Sequence, residues 1–469
     1  MKDYQLIING EKIAGENKNF DVLNPADESV YNTCPSASDK QLDFAVNCAN
    51  EAFKTWSLTT SNERKILLHK VADKIEENIA ELAEIIVKEQ GKPMFLAQVE
   101  VGAGAAWVRY TADLEIEVET IEDSETRLIQ MHRKPLGVIG SITPWNWPFM
   151  IAIWHMIPAL KAGNTLVCKP SSNTPFNTLR LVEIMNEVLP KGVINILTGG
   201  SGLGSKMSKH EGIRKIAFTG STETGKSIMN DASNSLKRLT LELGGNDAGI
   251  ILPNSQNLDE MLNGIFQSSF LNMGQTCAAL KRLYVHSDQY DEVCEKLAVI
   301  ANSQVVGDGM TEGTTFGPVQ NKAQLNLVEE LVNDAKANGA KIVCGGEALD
   351  KKGFYYPPTI VADVDNSFRI VKEEQFGPVL PVIKYNAIQE ALLLANDSEV
   401  GLGGSVWGEK ELASEIALKL ECGTSWVNNH AEVLPHVPFG GCKLSGYGIE
   451  FGQEGLLEFT QSHVVNITK

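Results

Sequence analysis

Leu42, Val46, Ala49 and Phe53 recur at three- or four-residue intervals after Asp39, the spacing that lines one face of a helix. A second amphipathic run covers residues 62–89, so helices are expected through to about Gly91. Ahead of them, MKDYQLIINGEKIAG alternates apolar and polar residues as a strand does. Over 115–134 polar and β-branched residues alternate and no helical face can be drawn, which predicts an exposed hairpin. Short β-type runs follow at 137–143, 165–169, 193–198, 215–219 and 248–252, separated by helical patterns. That alternation predicts parallel βαβ units. A further α/β pattern extends from Asn257 to about Gly446, with helices near 258–271, 288–303 and 322–338, and 462–468 is a candidate terminal strand.

A chain of 469 residues exceeds one ordinary core, and at about 100–200 residues per domain two or three domains are expected. Hydrophobic residues at 43% and charged residues at 21% match an ordered globular protein. The net charge of −18 repels a phosphate backbone, so nucleic acid is not an expected partner. The opening lacks the basic stretch and apolar run of a signal peptide. The most apolar segment, 147–160, is interrupted by His155 and falls short of the roughly 18 residues that cross a membrane. Eight cysteines are scattered without a CxxC pair or a Cys/His cluster. Neither a disulfide frame nor a metal site is expected, and reduced thiols fit a cytoplasmic protein.

Gly220-Ser-Thr-Glu-Thr-Gly225-Lys226-Ser227 fulfils the G-x4-G-K-[ST] pattern between an apparent strand and an apparent helix. A nucleoside triphosphatase also needs a magnesium carboxylate, normally at the end of a buried strand, and the next apolar strand ends in Pro253-Asn254. What survives is the physics of the loop: free N–H groups and a positive dipole end at a helix start suit any phosphate, a dinucleotide pyrophosphate included. Gly199-Gly200-Ser201-Gly202-Leu203-Gly204 departs from G-x-G-x-x-G spacing and is taken as a tight turn. Lys169-Pro-Ser-Ser-Asn-Thr-Pro175 is a loop following a strand.

Three residues are modest signals singly. Cys277 ends Asn272-Met-Gly-Gln-Thr-Cys277, a polar approach to an expected helical stretch. Glu242 stands between leucines ahead of two glycines, and Asn146 lies in the stiff Pro144-Trp-Asn-Trp-Pro148. With PWNWPF at 144–149, KPSSNTP at 169–175, FTGSTETG at 218–225, LELGG at 241–245, GQTC at 274–277, EEQFGPV at 373–379 and PFGG at 438–441, the whole chain resembles the NAD(P)-dependent aldehyde dehydrogenase superfamily.

The resemblance implies an α/β fold: a Rossmann-like dinucleotide-binding domain (1–114 and 135–244), an α/β catalytic domain (245–446) and a small β oligomerisation arm (115–134 and 447–469). It implies that Cys277 is the nucleophile, that the Asn146 amide and the Cys277 N–H hold the oxyanion, and that Glu242 activates the water that hydrolyses a thioester. It assigns Trp145, Lys169, Ser172, Gly220, Ser221, Gly225, Leu243, Glu374 and Phe376 to the cofactor, NAD or NADP, with Lys169 at the adenosine ribose and Glu374 and Phe376 at the nicotinamide end. Family members are usually dimers or dimer-paired tetramers, so a homodimer or homotetramer is expected.

Strict NAD users of this family often carry a glutamate where this chain has Ser172, so NADP is expected to be accepted at least comparably with NAD. His155 stands where many members have a lysine that relays protons with a glutamate matched here by Glu450. The resemblance places Trp147, Trp154, Leu271, Val433 and Phe439 in the substrate pocket, with no arginine among them. An uncharged aliphatic or aromatic aldehyde is the expected substrate, because Leu271 and Val433 extend no aromatic wall around a trimethylammonium group. A betaine-type or semialdehyde dehydrogenase is the alternative, and a triphosphatase a distant one. Coenzyme A-acylating relatives tend to lack the carboxylate that Glu242 supplies.

Overall fold

In the computed structural model, which describes residues 3–469, the chain is organised around two sheets meeting at a cleft. Met1 and Lys2, part of the opening alternation, lie outside the described residues. The first sheet runs Glu11–Ile13, Leu6–Ile8, Ile194–Ile196, Thr165–Lys169, Val138–Ile142, Ile213–Thr219, Arg238–Glu242 and Gly446–Tyr447. Its middle five strands are parallel and are buried almost throughout, as parallel strands covered on both faces must be. The opening alternation forms a hairpin, Leu6–Ile8 with Glu11–Ile13, turned by Asn9 and Gly10 at positive φ.

The expected helical region holds Asp39–Trp56, Ser61–Glu77 and Ile79–Gln90. Ser38 and Thr60 start the first two with capping boxes. The run over 62–89 is therefore two helices divided at Asn78, a break that an apolar periodicity does not reveal. The apolar segment after Trp147 is the helix Pro148–Lys161, largely buried within the first core. Among the described residues no helix is long and apolar enough to cross a membrane.

The second sheet runs Lys341–Cys344, Thr359–Val364, Val379–Tyr385, Leu280–His286, Asp247–Ile251, Gly403–Trp407 and Thr424–Val427. The expected run over 248–252 thus belongs here and not with the other β-type runs. The helices Leu258–Phe270, Tyr290–Asn302 and Lys322–Ala337 occupy their expected places. The 115–134 excursion is the hairpin Glu119–Asp123 with Arg127–Pro135, and the terminal strand Thr460–Thr468 pairs with it over nine residues. Together they form a separate three-stranded sheet with exposed Ile121, Val464 and Ile467.

Strand order places the cleft. From Val138–Ile142 the first sheet grows one way through Thr165–Lys169 and the other way through Ile213–Thr219. Outside the carboxyl ends of two such strands lies a topological switch point, where open α/β sheets bind ligands. The chain crosses from Glu242, the last residue of one strand, to Asp247, the first of a strand in the second sheet. The starting edge of the second sheet therefore faces the finishing edge of the first.

Candidate active site

Asn146 follows the central strand Val138–Ile142 directly and is 3% exposed. Its carbonyl accepts from Asn272 Nδ2 at 2.9 Å and Lys92 Nζ at 3.1 Å, while its own Nδ2 donates to the carbonyl of Gln275 at 3.0 Å. The asparagine side chain is thus tied to the backbone two residues ahead of Cys277.

Cys277 leads into the strand Leu280–His286, not into a helix as expected. Before it, Asn272, Met273 and Gly274 all take positive φ, at 53°, 61° and 68°. Three consecutive left-handed residues are costly, on the order of 1–2 kcal/mol for each non-glycine, and such strain gathers at functional sites. Gly274 is required there, since a Cβ would strike the carbonyl oxygen of Gly377 in the EEQFGPV loop. Burial pushes the Cys277 thiol up to about 12; the Lys281 ammonium opposes this, and Glu242, Asp247 and Glu374 add to it. This environment favours the thiol over the thiolate, and a neighbouring base or cation would offset it.

Glu242 is 4% exposed and neither carboxylate oxygen has a hydrogen-bond partner. Burial, then the charge of Glu450, raises its pKa well above 4.5. Buried polar atoms without partners are rare in native proteins, and a carboxylate held this way is suited to taking a proton from water. His155 is fully buried between the hydroxyls of Ser141 and Thr219, at 3.1 and 3.0 Å, with Nε2 3.4 Å from Glu450 Oε1. Its packing and polar contacts therefore coexist.

The expected cofactor residues up to Leu243 lie at or beyond the carboxyl ends of first-sheet strands, and Glu374 and Phe376 lie in the loop before Val379–Tyr385 of the second sheet. Ser221 caps the helix Thr222–Ser233, its Oγ accepting from the Thr224 N–H, and both residues are exposed. Leu243 lies against Gly225, where a Cβ would come within 2.6 Å of Leu243 Cδ2. Lys169 ends its strand at 6% exposure, and burial lowers its pKa to about 8. Its ammonium donates to the Pro170 carbonyl at 3.1 Å, with N–H groups to spare for a ligand. Ser172 is half-buried in the following loop. Trp145 meets Phe376 edge to face at 5.4 Å, and Glu374 Oε1 accepts from the Gly245 N–H at 3.2 Å. An anion-binding helix end, a buried cation and an aromatic and carboxylate pair around one crevice fit a dinucleotide. Lys226 instead pairs with Glu223 on the exposed face of its helix, 3.1 Å away, unlike a lysine cradling a triphosphate. The Gly199–Gly204 cluster opens the helix Ser201–Lys209 rather than making only a tight turn.

A profile of the aldehyde dehydrogenase family matches residues 12–465. The chain belongs to the aldehyde dehydrogenase family. It is 34% identical to the betaine aldehyde dehydrogenase of Staphylococcus aureus solved with NAD+, covering 99% of this chain and 95% of that one at a TM-score of 0.96. An aldehyde dehydrogenase of Bacillus cereus, solved as a point mutant, is 37% identical over 99% and 96% of the two chains, with a TM-score of 0.97. FUS7 of Gibberella fujikuroi, provisionally named an aldehyde dehydrogenase, is 39% identical over 441 residues, 94% of each chain. This aldehyde dehydrogenase is an oxidoreductase with the family's Rossmann-like and catalytic domains, carrying out NAD(P)-dependent aldehyde oxidation.

Beside the thiol of this aldehyde dehydrogenase, Trp154, Val433 and Phe439 pack in one apolar cluster with Cys277 and Ala278. Trp147 and Leu271 adjoin through Thr276, whose Oγ1 accepts from Trp147 Nε1 at 2.9 Å. Leu271 and Val433 add no aromatic wall, as expected from their side chains, but the cluster also holds Trp107, Trp426 and Phe451. Trp154 contacts Trp107 at 5.6 Å and Phe451 at 4.7 Å, and Phe451 stacks on Phe439 at 5.9 Å. Trp107 comes from a distant helix, so motif spacing could not reveal it. Lys281 was missed too, although two adjacent cations in the β-type run LKRLYVH were a visible signal.

Proposed function

We propose that this enzyme oxidises an aldehyde to the free acid through a covalent thioester on Cys277. The thiolate adds to the carbonyl carbon, and the resulting oxyanion is held by the Asn146 side-chain amide and the Cys277 N–H. Where such donors have been removed, each loss has cost about 3–4 kcal/mol. Bound NAD(P) supplies the hydride acceptor. Loss of hydride leaves the thioester, and Glu242 takes a proton from the water that cleaves it, a role worth roughly 10²–10⁴ in rate. The observation that carries this is the buried, unpartnered Glu242 carboxylate close enough to Cys277 to raise its thiol pKa. Cys277→Ala should abolish aldehyde oxidation and leave NAD binding intact; substantial residual turnover would exclude the mechanism.

For the cofactor we assign Lys169 to the adenosine ribose, Gly220, Ser221, Gly225 and Leu243 to the pyrophosphate region, and Trp145, Glu374 and Phe376 to the nicotinamide end. Ser172 brings no charge against a 2′-phosphate and Lys169 brings a cation toward one, so NADP is accepted at least comparably with NAD.

The substrate is an uncharged aliphatic or aromatic aldehyde, held by Trp147, Trp154, Leu271, Val433 and Phe439. A trimethylammonium aldehyde is the second reading, favoured by the added aromatics Trp107, Trp426 and Phe451 and by the likeness to a betaine aldehyde dehydrogenase. Comparison of kcat/KM for hexanal, benzaldehyde and betaine aldehyde decides between them. We further assign 1–114 with 135–244 to the dinucleotide-binding domain, 245–446 to the catalytic domain, and 115–134 with 447–469 to an arm that joins a homodimer or homotetramer. Eight free cysteines support a cytoplasmic setting.

A further inference from the structure

Lys92 and Glu100 form an ion pair, Nζ to Oε2 2.5 Å, with both side chains wholly buried. Two charges so placed bring little net stability, because apolar side chains of the same volume would serve as well or better. The remaining contacts of the pair converge on one loop. Glu100 Oε1 accepts from the N–H groups of Phe149 at 3.0 Å and Met150 at 3.1 Å, in the first turn of the helix Pro148–Lys161. Lys92 Nζ donates to the Asn146 carbonyl at 3.1 Å and sits 3.6 Å above the Trp147 ring. A second link starts from the Lys92 N–H, which donates to Gln90 Oε1 at 3.0 Å. Gln90 Nε2 then donates to Asn272 Oδ1 at 3.1 Å, and Asn272 Nδ2 returns to the same Asn146 carbonyl at 2.9 Å.

We propose that the Lys92–Glu100 pair is a positioning device for the oxyanion site, fixing the Asn146 peptide relative to the left-handed turn that delivers Cys277. The inference rests on the assignment of Asn146 as the oxyanion donor. An amide stabilises a developing charge only if it is aimed before the charge appears. The Lys92 ammonium is engaged by Glu100, the Asn146 carbonyl and the Trp147 ring, so it acts through Asn146 and not on substrate.

The test compares the rate constant of the pre-steady-state NADH burst with hexanal in the native enzyme, Asn146→Ala, Lys92→Met, Lys92→Met with Glu100→Gln, and Lys92→Met on the Asn146→Ala background. The paired variant leaves no lone buried charge and provides the readout if Lys92→Met alone does not fold. Both Lys92 variants should slow the burst about tenfold or more, as loss of a group supporting a functional ligand typically does. The dissociation constant for NAD and the rate of Cys277 alkylation by iodoacetamide should stay within about twofold of native, and Lys92→Met should cost less than about twofold on the Asn146→Ala background. A native burst rate in the folded Lys92 variants beside a slow Asn146→Ala would overturn the positioning role alone. An equal slowing by Lys92→Met on both backgrounds would also overturn it, whereas a native rate in Asn146→Ala would remove the oxyanion assignment beneath it.

Discussion

Lys281 Nζ lies 2.9 Å from Glu374 Oε1 and, from the same ammonium, donates to the carbonyls of Thr276 and Cys277 at 2.9 and 2.6 Å. One buried cation therefore joins the nucleophile turn to the carboxylate assigned to the nicotinamide ribose. Burial pushes the Glu374 carboxyl up and Lys281 opposes that shift.

Removing this cation should loosen the cofactor end of the site. Lys281→Met is expected to raise the dissociation constant for NAD about tenfold, about 1.4 kcal/mol, measured by fluorescence titration. Glu374→Gln should weaken binding to a similar degree. An unchanged constant in both would release Glu374 from cofactor binding.

Glu242→Gln should be spared a loss of stability that the native enzyme suffers as pH rises. Burial and Glu450 place the folded-state pKa of Glu242 well above 4.5, so the folded state holds this proton more tightly than the unfolded chain. The contribution of Glu242 is fully present below the unfolded value and is lost as pH climbs through the raised one. Glutamine never meets that loss. The melting temperatures of native enzyme and variant should lie close together below the ordinary carboxylate range and separate as pH rises above it. A difference independent of pH would contradict the buried, destabilised carboxylate.

Ser172→Glu should restore selection against NADP. A carboxylate at this position repels the 2′-phosphate and accepts from the ribose hydroxyls, so kcat/KM for NADP should fall about tenfold or more, about 1.4 kcal/mol per tenfold, with NAD spared. Lys206, the other cation nearby in the helix Ser201–Lys209, pairs with Asp39 at 2.5 Å on the surface. A native enzyme that rejects NADP a hundredfold would place the determinant elsewhere.

Much of this architecture was legible because the signals were local. Periodicity from Asp39 to about Gly91 and alternation over 115–134 report short-range burial, and the glycine motifs report turns that backbone conformation demands. Cys277, Glu242 and Asn146 could be named from residues 144–149, 241–245 and 274–277 through family resemblance. The Asn272–Gly274 turn was not legible: Asn272 and Met273 take positive φ without being glycines, and the carbonyl that excludes a side chain at Gly274 belongs to Gly377, far along the chain. Trp107 and the Lys92–Glu100 pair were equally hidden, since the helix Met94–Asp113, with Lys92 just ahead of it, is remote in sequence from the motifs that they meet. Periodicity alone did not separate 248–252 from the β-type runs before it, because a buried parallel strand carries no mark of the sheet that it joins.

The most direct test of the covalent mechanism is a rapid-mixing experiment on Glu242→Gln with saturating NAD and hexanal, followed by mass analysis of the trapped protein. The expected result is an NADH burst of about one equivalent per active site, then a stall with the acyl group on Cys277, because thioester formation precedes the step that needs Glu242. A folded variant that gives no burst would move Glu242 to an earlier step, and one that turns over at the native rate with no acyl group on Cys277 would contradict the mechanism.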